Sequence, residues 1–219
     1  IVREQEGVLK VDLFLDAAFT GKEASGTVAM LSDGRLGVSV VIDKTSGKEF
    51  AVAVRKPVWA SGMTVSLNGQ TAQAADEGGY ALVKRAWASG DKLEAAFDAD
   101  LRLETRERKT VTLDAMGADV VEAALLYGPY ILSAQSSSDD AFFTEPWTNN
   151  VVYLTDDMAP TLGKDDARPF AIPGTRFDAS YQHGGFPDLS TVALRPMSEY
   201  TQDDRGTVGV WLRYQRKQK

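Results

Sequence analysis

The sequence contains a single histidine, His183, so Ser–His–Asp chemistry would have to pass through it. Such a site needs a carboxylate that orients the imidazole and a hydroxyl that it can deprotonate. Asp178 or Asp188 could supply the carboxylate, and Ser180 or Ser190 the hydroxyl. However, the Gln-His-Gly-Gly segment is typical of an exposed loop, and no Gly-x-Ser-x-Gly nucleophile elbow occurs. We therefore predict no catalytic residue in this chain.

Four Asp-Asp pairs occur, which could serve a glycosidase or bind calcium: Asp139-Asp140, Asp156-Asp157, Asp165-Asp166 and Asp203-Asp204. A two-carboxylate glycosidase needs acidic groups about 5–10 Å apart across a cleft, whereas adjacent loop carboxylates usually keep the loop solvated. Calcium takes oxygen ligands from loops, but no Asp-x-Asp-x-Asp-Gly spacing is present. We predict no metal and no cofactor, and calcium binding by these loops stays open.

The aromatic side chains are the best candidates for sugar contact, since sugar-binding sandwiches present aromatic faces with amides or carboxylates nearby. Three tryptophans lie in strand patterns and are predicted to be core residues: Trp59, Trp87 and Trp211. Trp147 lies in the irregular segment 142–150, where no periodicity explains its burial. We favour docking of Trp147 against a neighbouring domain. The alternative is a ligand site with Trp147, Asn149 and Tyr153 as ligand-binding candidates.

The composition of the chain argues against two classes of partner, nucleic acids and membranes. The chain has 219 residues and a net charge of −7, which argues against nucleic acid because a phosphate backbone needs a basic face. No apolar run approaches the roughly 18–20 residues of a membrane helix, so no membrane partner is predicted. Residues 104–109 (ETRERK) mix both charges and indicate a solvated segment with local ion pairs, with a basic patch for an anionic polysaccharide as the alternative.

The chain contains no cysteine, which excludes disulfides, thiolate nucleophiles and cysteine-based zinc sites within it. It begins Ile-Val-Arg-Glu without a signal-peptide pattern, and we interpret it as an excised or mature fragment. Cysteine usage does not fix the compartment, because many periplasmic proteins lack disulfides. For the parent protein we expect a periplasmic or secreted location.

Short alternating segments with turn signals every eight to twelve residues predict an all-β, antiparallel, jelly-roll-like sandwich. The stretch 54–93 carries the clearest hairpin signal, Asn68-Gly69. Residues 7–15 and 93–103 each present apolar side chains on one face. Residues 120–134 predict two strands interrupted at Gly128-Pro129.

The sequence pattern divides the chain into three predicted parts: a sandwich over residues 1–135, a Ser/Asp linker over 136–140, and a loop-rich C-terminal segment over 141–219. The last part has too little regular apolar pattern for a core of its own. We therefore expect it to add strands and covering loops to the same sandwich.

Motifs in the order 55–60 (RKPVWA), 65–69 (VSLNG), 79–80 (GY), 85–87 (RAW), 90–91 (GD), 126–132 (LYGPYIL) and 194–205 resemble those of glycoside hydrolase family 127. This is the β-L-arabinofuranosidase-like group, and the resembling region is the β-sandwich that follows its catalytic barrel. Three residues depart from the family pattern: Lys56, Gly206 and Gly209.

The resemblance implies catalysis in an (α/α)₆ barrel, by a nucleophilic cysteine in a cysteine/glutamate zinc site. No position of this chain corresponds to those residues. It therefore implies a non-catalytic accessory region that braces the catalytic barrel and lines the substrate cleft, with that barrel as partner. A carbohydrate-binding module for arabinose-containing oligosaccharides is the alternative, and a stand-alone hydrolase using His183 is a third.

Overall fold

The computed structural model describes residues 2–31, 34–144, 146–162, 175–183, 188–199 and 206–217. In these residues all regular structure is β-strand or short 3₁₀ helix, which confirms the all-β prediction. The chain forms two compact units, residues 1–99 and 100–219. A single jelly-roll-like sandwich is wrong, because the first unit contains two open sheets and the second a closed barrel.

The described part of the first unit contains eleven strands: β1 Val2–Gln5, β2 Val8–Val11, β3 Ala17–Thr20, β4 Ala24–Met30, β5 Gly37–Thr45, β6 Glu49–Arg55, β7 Ala60–Leu67, β8 Gln70–Thr71, β9 Ala75–Asp76, β10 Tyr80–Ala86 and β11 Lys92–Ala99. One sheet has the order β1-β2-β6-β10-β9, and the other β3-β4-β5-β11-β7-β8. Neighbouring strands are antiparallel except for the parallel pair β2–β6.

Strand β6 lies in the middle of its sheet, and residues 50–54 are all buried. This explains why its sequence is apolar at consecutive positions, since a strand covered on both faces loses the alternation. Trp87 is buried and donates its Nε1–H to the Phe50 carbonyl at 3.0 Å, which confirms its core role. Trp59 is only half-buried, with its ring edge-on to Phe97.

The predicted turn at Asn68-Gly69 is confirmed, with φ of 52° and 80°, and it joins β7 to β8. The stretch 54–93 is nevertheless not one hairpin, because β10 pairs with β6 in one sheet and β7 with β11 in the other. The strand predicted over residues 7–15 ends at Val11. Leu13 therefore lies outside the sheet and is 52% exposed.

The described part of the second unit contains nine strands: β12 Leu101–Thr105, β13 Thr110–Thr112, β14 Val121–Tyr127, β15 Tyr130–Gln135, β16 Val151–Leu154, β17 Phe177–Gln182, β18 Leu189–Pro196, β19 Val208–Gly209 and β20 Trp211–Arg216. Four 3₁₀ helices accompany them there: Leu113–Ala115, Asp140–Phe143, Trp147–Asn149 and Met197–Glu199.

Six strands in the order β14-β20-β16-β17-β18-β15 close into a barrel, because β15 pairs back onto β14. The β16–β20 pair is parallel and the other pairs are antiparallel, so the barrel is mixed. Alternate residues fill the interior, including Leu212 and Tyr214 of β20. The predicted interruption at Gly128-Pro129 is confirmed as the turn between β14 and β15.

The C-terminal strands therefore close a barrel with β14 and β15, and do not add to one sandwich. Residues 136–140, the predicted linker, lie inside the second unit, between β15 and the 3₁₀ helix Asp140–Phe143. The boundary between the compact units lies instead at Ala99/Asp100. It interrupts the alternating run 93–103, whose halves belong to β11 and β12.

Candidate functional site

The segment around Trp147 is held in place by two polar side chains. Asn150 is buried and its Nδ2 donates to the Phe142 carbonyl at 2.8 Å, while Asp139 Oδ1 accepts from the Phe142 N–H at 3.3 Å. The Phe142 ring is buried and packs edge-on against Tyr181 of β17, with ring centroids 4.9 Å apart. The irregular segment is therefore anchored to the barrel without being a strand.

Trp147 is half-buried, with its ring 5.2 Å from that of Phe143 and 6.4 Å from that of Phe142. Its other neighbour is Gly209, which is buried in β19. A Cβ atom at Gly209 would lie 3.2 Å from Trp147 Cζ3 and 3.1 Å from Leu212 Cδ2, which is tighter than ordinary packing. Glycine at position 209 therefore makes room for the indole.

A cavity of about 320 Å³ opens beside Trp147 in the second unit. The lining residues that bear polar or aromatic side chains are Arg106, Glu122, Trp147, Thr148, Asn150, Trp211 and Arg213. Trp211 was predicted to be core, and this is wrong, because it is 37% exposed. It occupies the outward-facing position of β20, whose next residue, Leu212, is buried in the barrel.

The charged side chains around the cavity are held by contacts with one another and with the backbone. Arg106 Nε and Nη2 each lie 2.8 Å from Glu122 Oε1, and the guanidinium carbon lies 4.8 Å from the centre of the Trp211 ring. Glu122 and Arg213 face each other in the β14–β20 pair. Arg213 Nη1 donates to the Asn149 carbonyl at 3.1 Å. The result is an aromatic surface bordered by one ion pair and one further guanidinium.

The three residues predicted to bind ligand do not form one site. Trp147 lines the cavity, whereas Asn149 contributes its backbone carbonyl to Arg213 and exposes its side chain. Tyr153 lies in β16, where its hydroxyl donates to Gln182 Oε1 at 2.6 Å and Lys217 Nζ lies 5.4 Å from the centre of its ring. The structure thus brings Trp147 and the Asn149 backbone to the cavity and engages Tyr153 elsewhere.

Four of the charged or aromatic side chains that line this cavity were not predicted as site residues: Arg106, Glu122, Trp211 and Arg213. The only sequence signal was the mixed-charge run 104–109, interpreted as solvated with a saccharide-binding patch as the alternative. Arg106 belongs to this run, but its ion-pair partner Glu122 lies in β14, which the run does not indicate. The four residues are brought together only by the pairing of distant strands.

The residues considered for catalysis have other contacts. His183 Nε2 lies 3.3 Å from the Thr144 carbonyl oxygen, and Asp178 Oδ1 accepts from Arg176 at 2.5 and 3.0 Å. Ser190 lies opposite Tyr181 in the β17–β18 pair. Burial raises the pKa of the Tyr181 hydroxyl, and a hydrogen bond with Ser190 opposes that rise. The absence of catalytic residues stays a prediction.

The acidic pairs were the other candidates. Within the described residues, no group of three or more His, Cys, Asp or Glu side chains converges as a metal ion requires. Asp139 caps the 3₁₀ helix Asp140–Phe143, and Asp156 Oδ2 pairs with Arg216 Nη2 at 2.7 Å. The pairs 165–166 and 203–204 lie outside the described residues. No helix in the described part of the chain is long and apolar enough to cross a membrane.

Comparison with known proteins finds a family model that matches most of the first unit. Residues 9–99 match the family model described as "Beta-L-arabinofuranosidase, GH127 middle domain". That segment ends at the last residue of the first compact unit. The search of curated proteins found no match.

Solved structures similar to this chain include a GH127 β-L-arabinofuranosidase from Geobacillus stearothermophilus T6. That structure has 18% sequence identity and a TM-score of 0.63, and the match covers 99% of this chain and 35% of that one. A structure described as a glycoside hydrolase matches with 17% identity, a TM-score of 0.64 and coverages of 95% and 36%. A GH127 β-arabinofuranosidase matches with 19% identity, a TM-score of 0.55 and coverages of 94% and 34%. The chain spans about a third of the length of these proteins.

Proposed function

We propose that this chain is the non-catalytic β-region of a β-L-arabinofuranosidase-like hydrolase, because residues 9–99 match the family model of the GH127 middle domain. Its function is to brace the catalytic barrel and to line one side of the substrate cleft. The observation that carries the proposal is the family match, supported by a fold likeness that spans 99% of this chain but only 35% of the longer enzyme.

An exposed apolar patch in the first unit supports the bracing function. Val58 is 98% exposed, and its neighbour Trp59 packs edge-on against Phe97 with ring centroids 5.6 Å apart. Phe14 reaches the same ring at 5.1 Å, next to the exposed Leu13. Two loops therefore present large apolar side chains around one aromatic residue. Exposed patches of this kind mark interfaces, and we assign this one to the catalytic barrel.

The test is association with a GH127 catalytic domain from which the corresponding β-region has been removed. We expect this chain to bind that domain and raise its arabinofuranosidase activity and melting temperature, and to show no hydrolysis by itself. Val58→Asp should weaken the association about tenfold or more, since it places a charge in an apolar contact. The matched control is Leu189→Asp, in an exposed leucine of the second unit.

Failure of the chain to bind or activate the catalytic domain would remove the bracing function. Equal binding by wild type and Val58→Asp would remove the patch assignment and leave the bracing function to another surface. Turnover by the isolated chain that disappears in His183→Ala would overturn the non-catalytic assignment. These three results are separable because binding, variant binding and turnover are measured independently.

The second candidate function is carbohydrate binding, with Trp147, Asn149 and Tyr153 as the predicted contacts. The observation that favours it is the cavity beside Trp147, which combines an indole with charged side chains. Calorimetric titration with arabinose-containing oligosaccharides tests it. Saturable binding that is lost in Trp147→Ala, without hydrolysis, would support a binding module, and absence of binding would reject it.

A further inference from the structure

We propose that the cavity between Trp147 and Trp211 is a binding site for one sugar unit of an uncharged glycan, with the Arg106–Glu122 ion pair holding its hydroxyl groups. This inference rests on the carbohydrate-binding function proposed above and deepens it. It replaces two of the predicted contacts, Asn149 and Tyr153, by residues of β14 and β20 and by Arg106.

Trp211 supplies an exposed aromatic face. Its position in β20 alternates with the buried Leu212 and Tyr214, so the indole points away from the barrel core. A tryptophan left 37% exposed keeps an apolar ring in contact with water, and the C–H face of a sugar ring would cover it. Trp147 lines the same cavity, which gives the site a second aromatic residue.

The ion pair supplies the polar contacts. Arg106 uses one edge of its guanidinium, Nε and Nη2, on Glu122 Oε1. Their side chains are 60% and 52% exposed, so both reach the solvent-filled side of the cavity. A guanidinium only donates and a carboxylate only accepts, while a sugar hydroxyl does both. Two neighbouring hydroxyls can therefore bond to the two partners at once.

The groups are positioned before any ligand arrives. Arg106 stacks on Trp211 and pairs with Glu122, and Arg213 is held by the Asn149 carbonyl at 3.1 Å. Side chains that are already ordered lose less conformational entropy on binding. The geometry therefore favours binding over a purely solvated cluster.

Size and charge define the ligand class. The cavity volume of about 320 Å³ lies near the lower limit of the roughly 300–1,000 Å³ typical of small-molecule sites, which suits one sugar unit with its linkage better than a long oligosaccharide. Arg106 is neutralised by Glu122, and Arg213 is directed to a backbone carbonyl. Recognition by stacking and hydroxyl contacts therefore predicts little dependence on salt.

The experiment is calorimetric titration of the whole chain with neutral arabino- and xylo-oligosaccharides, at low and high salt, together with oligogalacturonate. We expect saturable binding of a neutral ligand that changes less than twofold with salt. Trp211→Ala and Glu122→Gln should each weaken binding about tenfold or more. The first-unit variant Trp59→Ala is the control and should bind like wild type, and Tyr153→Phe distinguishes this cavity from the contacts predicted from the sequence.

Glu122→Gln keeps the side-chain shape on an exposed strand position, so it remains informative if Trp211→Ala unfolds. Neutral-sugar binding that survives both variants but is lost in Tyr153→Phe would overturn this site and leave the carbohydrate-binding function standing. If no ligand binds, both this site and the carbohydrate-binding function are overturned. Binding of oligogalacturonate alone, at low salt, would overturn the site for sugar hydroxyls and indicate a positively charged patch that binds anions. The bracing function is tested separately, by association with the catalytic domain.

Discussion

Asn68 and Asp91 join two turns of the first unit. The Asn68 side chain donates from Nδ2 to Asp91 Oδ1 at 2.8 Å, and its Oδ1 accepts from the Lys92 N–H at the same distance. Asp91 Oδ2 accepts from the Ala88 N–H at 2.9 Å. One amide and one carboxylate thus tie the β7–β8 turn to the turn that precedes β11.

We predict that Asp91→Asn destabilises the chain by about 1.5–3 kcal/mol at neutral pH, because hydrogen bonds to a charged, buried acceptor are lost. The Ala88 N–H lowers the pKa of Asp91 below its ordinary value, with Asn68 and Arg85 adding to this and burial opposing it. The contribution is therefore complete above an unfolded pKa of about 3.9 and is lost as pH falls through the folded value.

Urea unfolding at neutral and acid pH measures this effect. The difference between Asp91→Asn and wild type should shrink in acid, while the exposed control Asp76→Asn should resemble wild type throughout. A difference that stays constant with pH would show that the carboxylate charge contributes nothing to this turn.

We predict that Gly26→Ala destabilises the first unit by about 1–3 kcal/mol, because the backbone has no room for a methyl group. A Cβ atom there would lie 1.9 Å from the Val41 carbonyl oxygen, at the irregularity between Ser25 and Gly26 in the β4–β5 pair. Chemical denaturation of Gly26→Ala against Gly117→Ala measures it, since no atom lies within 4 Å of a Cβ at position 117. Equal stability of the two variants would contradict the clash.

Replacing Tyr214 and Tyr80 by phenylalanine should have different effects on the stability of the protein. The Tyr214 hydroxyl is buried in the barrel and has no hydrogen-bond partner among the described residues, whereas the Tyr80 hydroxyl donates to Asp12 Oδ1 at 2.5 Å. Removing an unsatisfied buried hydroxyl should leave stability unchanged or raise it by about 1 kcal/mol, and Tyr80→Phe should lower it by about 1 kcal/mol.

The buried Tyr214 hydroxyl also gives a prediction for alkaline pH. Burial raises the pKa of Tyr214, so the folded state keeps this hydroxyl protonated at pH values where the unfolded chain, near pH 10, releases the proton. Stability is therefore unaffected below that pH and falls above it. Thermal unfolding across alkaline pH should show a smaller loss in Tyr214→Phe than in wild type. A loss of the same size in both would assign the alkaline effect to other groups.

Gly209→Ala should displace the Trp147 ring and weaken sugar binding in the cavity. The added methyl group would meet Trp147 Cζ3 at 3.2 Å and Leu212 Cδ2 at 3.1 Å, both of them side-chain atoms that can shift. We expect a changed tryptophan emission spectrum and a stability loss of no more than about 1 kcal/mol. Gly117→Ala should change neither, and an unchanged spectrum in Gly209→Ala would show that the indole does not depend on this glycine.

Local signals in the sequence were sufficient for the all-β class and for two turns. Asn68-Gly69 has positive φ at both positions, and Gly128-Pro129 separates β14 from β15, because these residues favour turns whatever surrounds them. The strand after Gly7 was extended too far, to Leu15. Its alternation continues past the last hydrogen-bonded residue, Val11.

The unit boundary at Ala99/Asp100 could not be found in the same way. Phe97 in β11 and Leu101 and Leu103 in β12 keep one unbroken alternation, although β11 pairs with β5 and β7 and β12 with β13 and β14. A period of two records only that one face of a strand is buried. It does not record which core covers that face.

By itself, the sequence determined the all-β class, the turns, the prominence of Trp147 in an irregular segment and the GH127 likeness of the first unit. Only the tertiary structure decided that the second unit closes into a barrel and that Arg106, Glu122 and Trp211 border one cavity. The reason is physical: turn geometry and alternation depend on neighbouring residues, whereas barrel closure and ion pairing depend on strand register between distant segments.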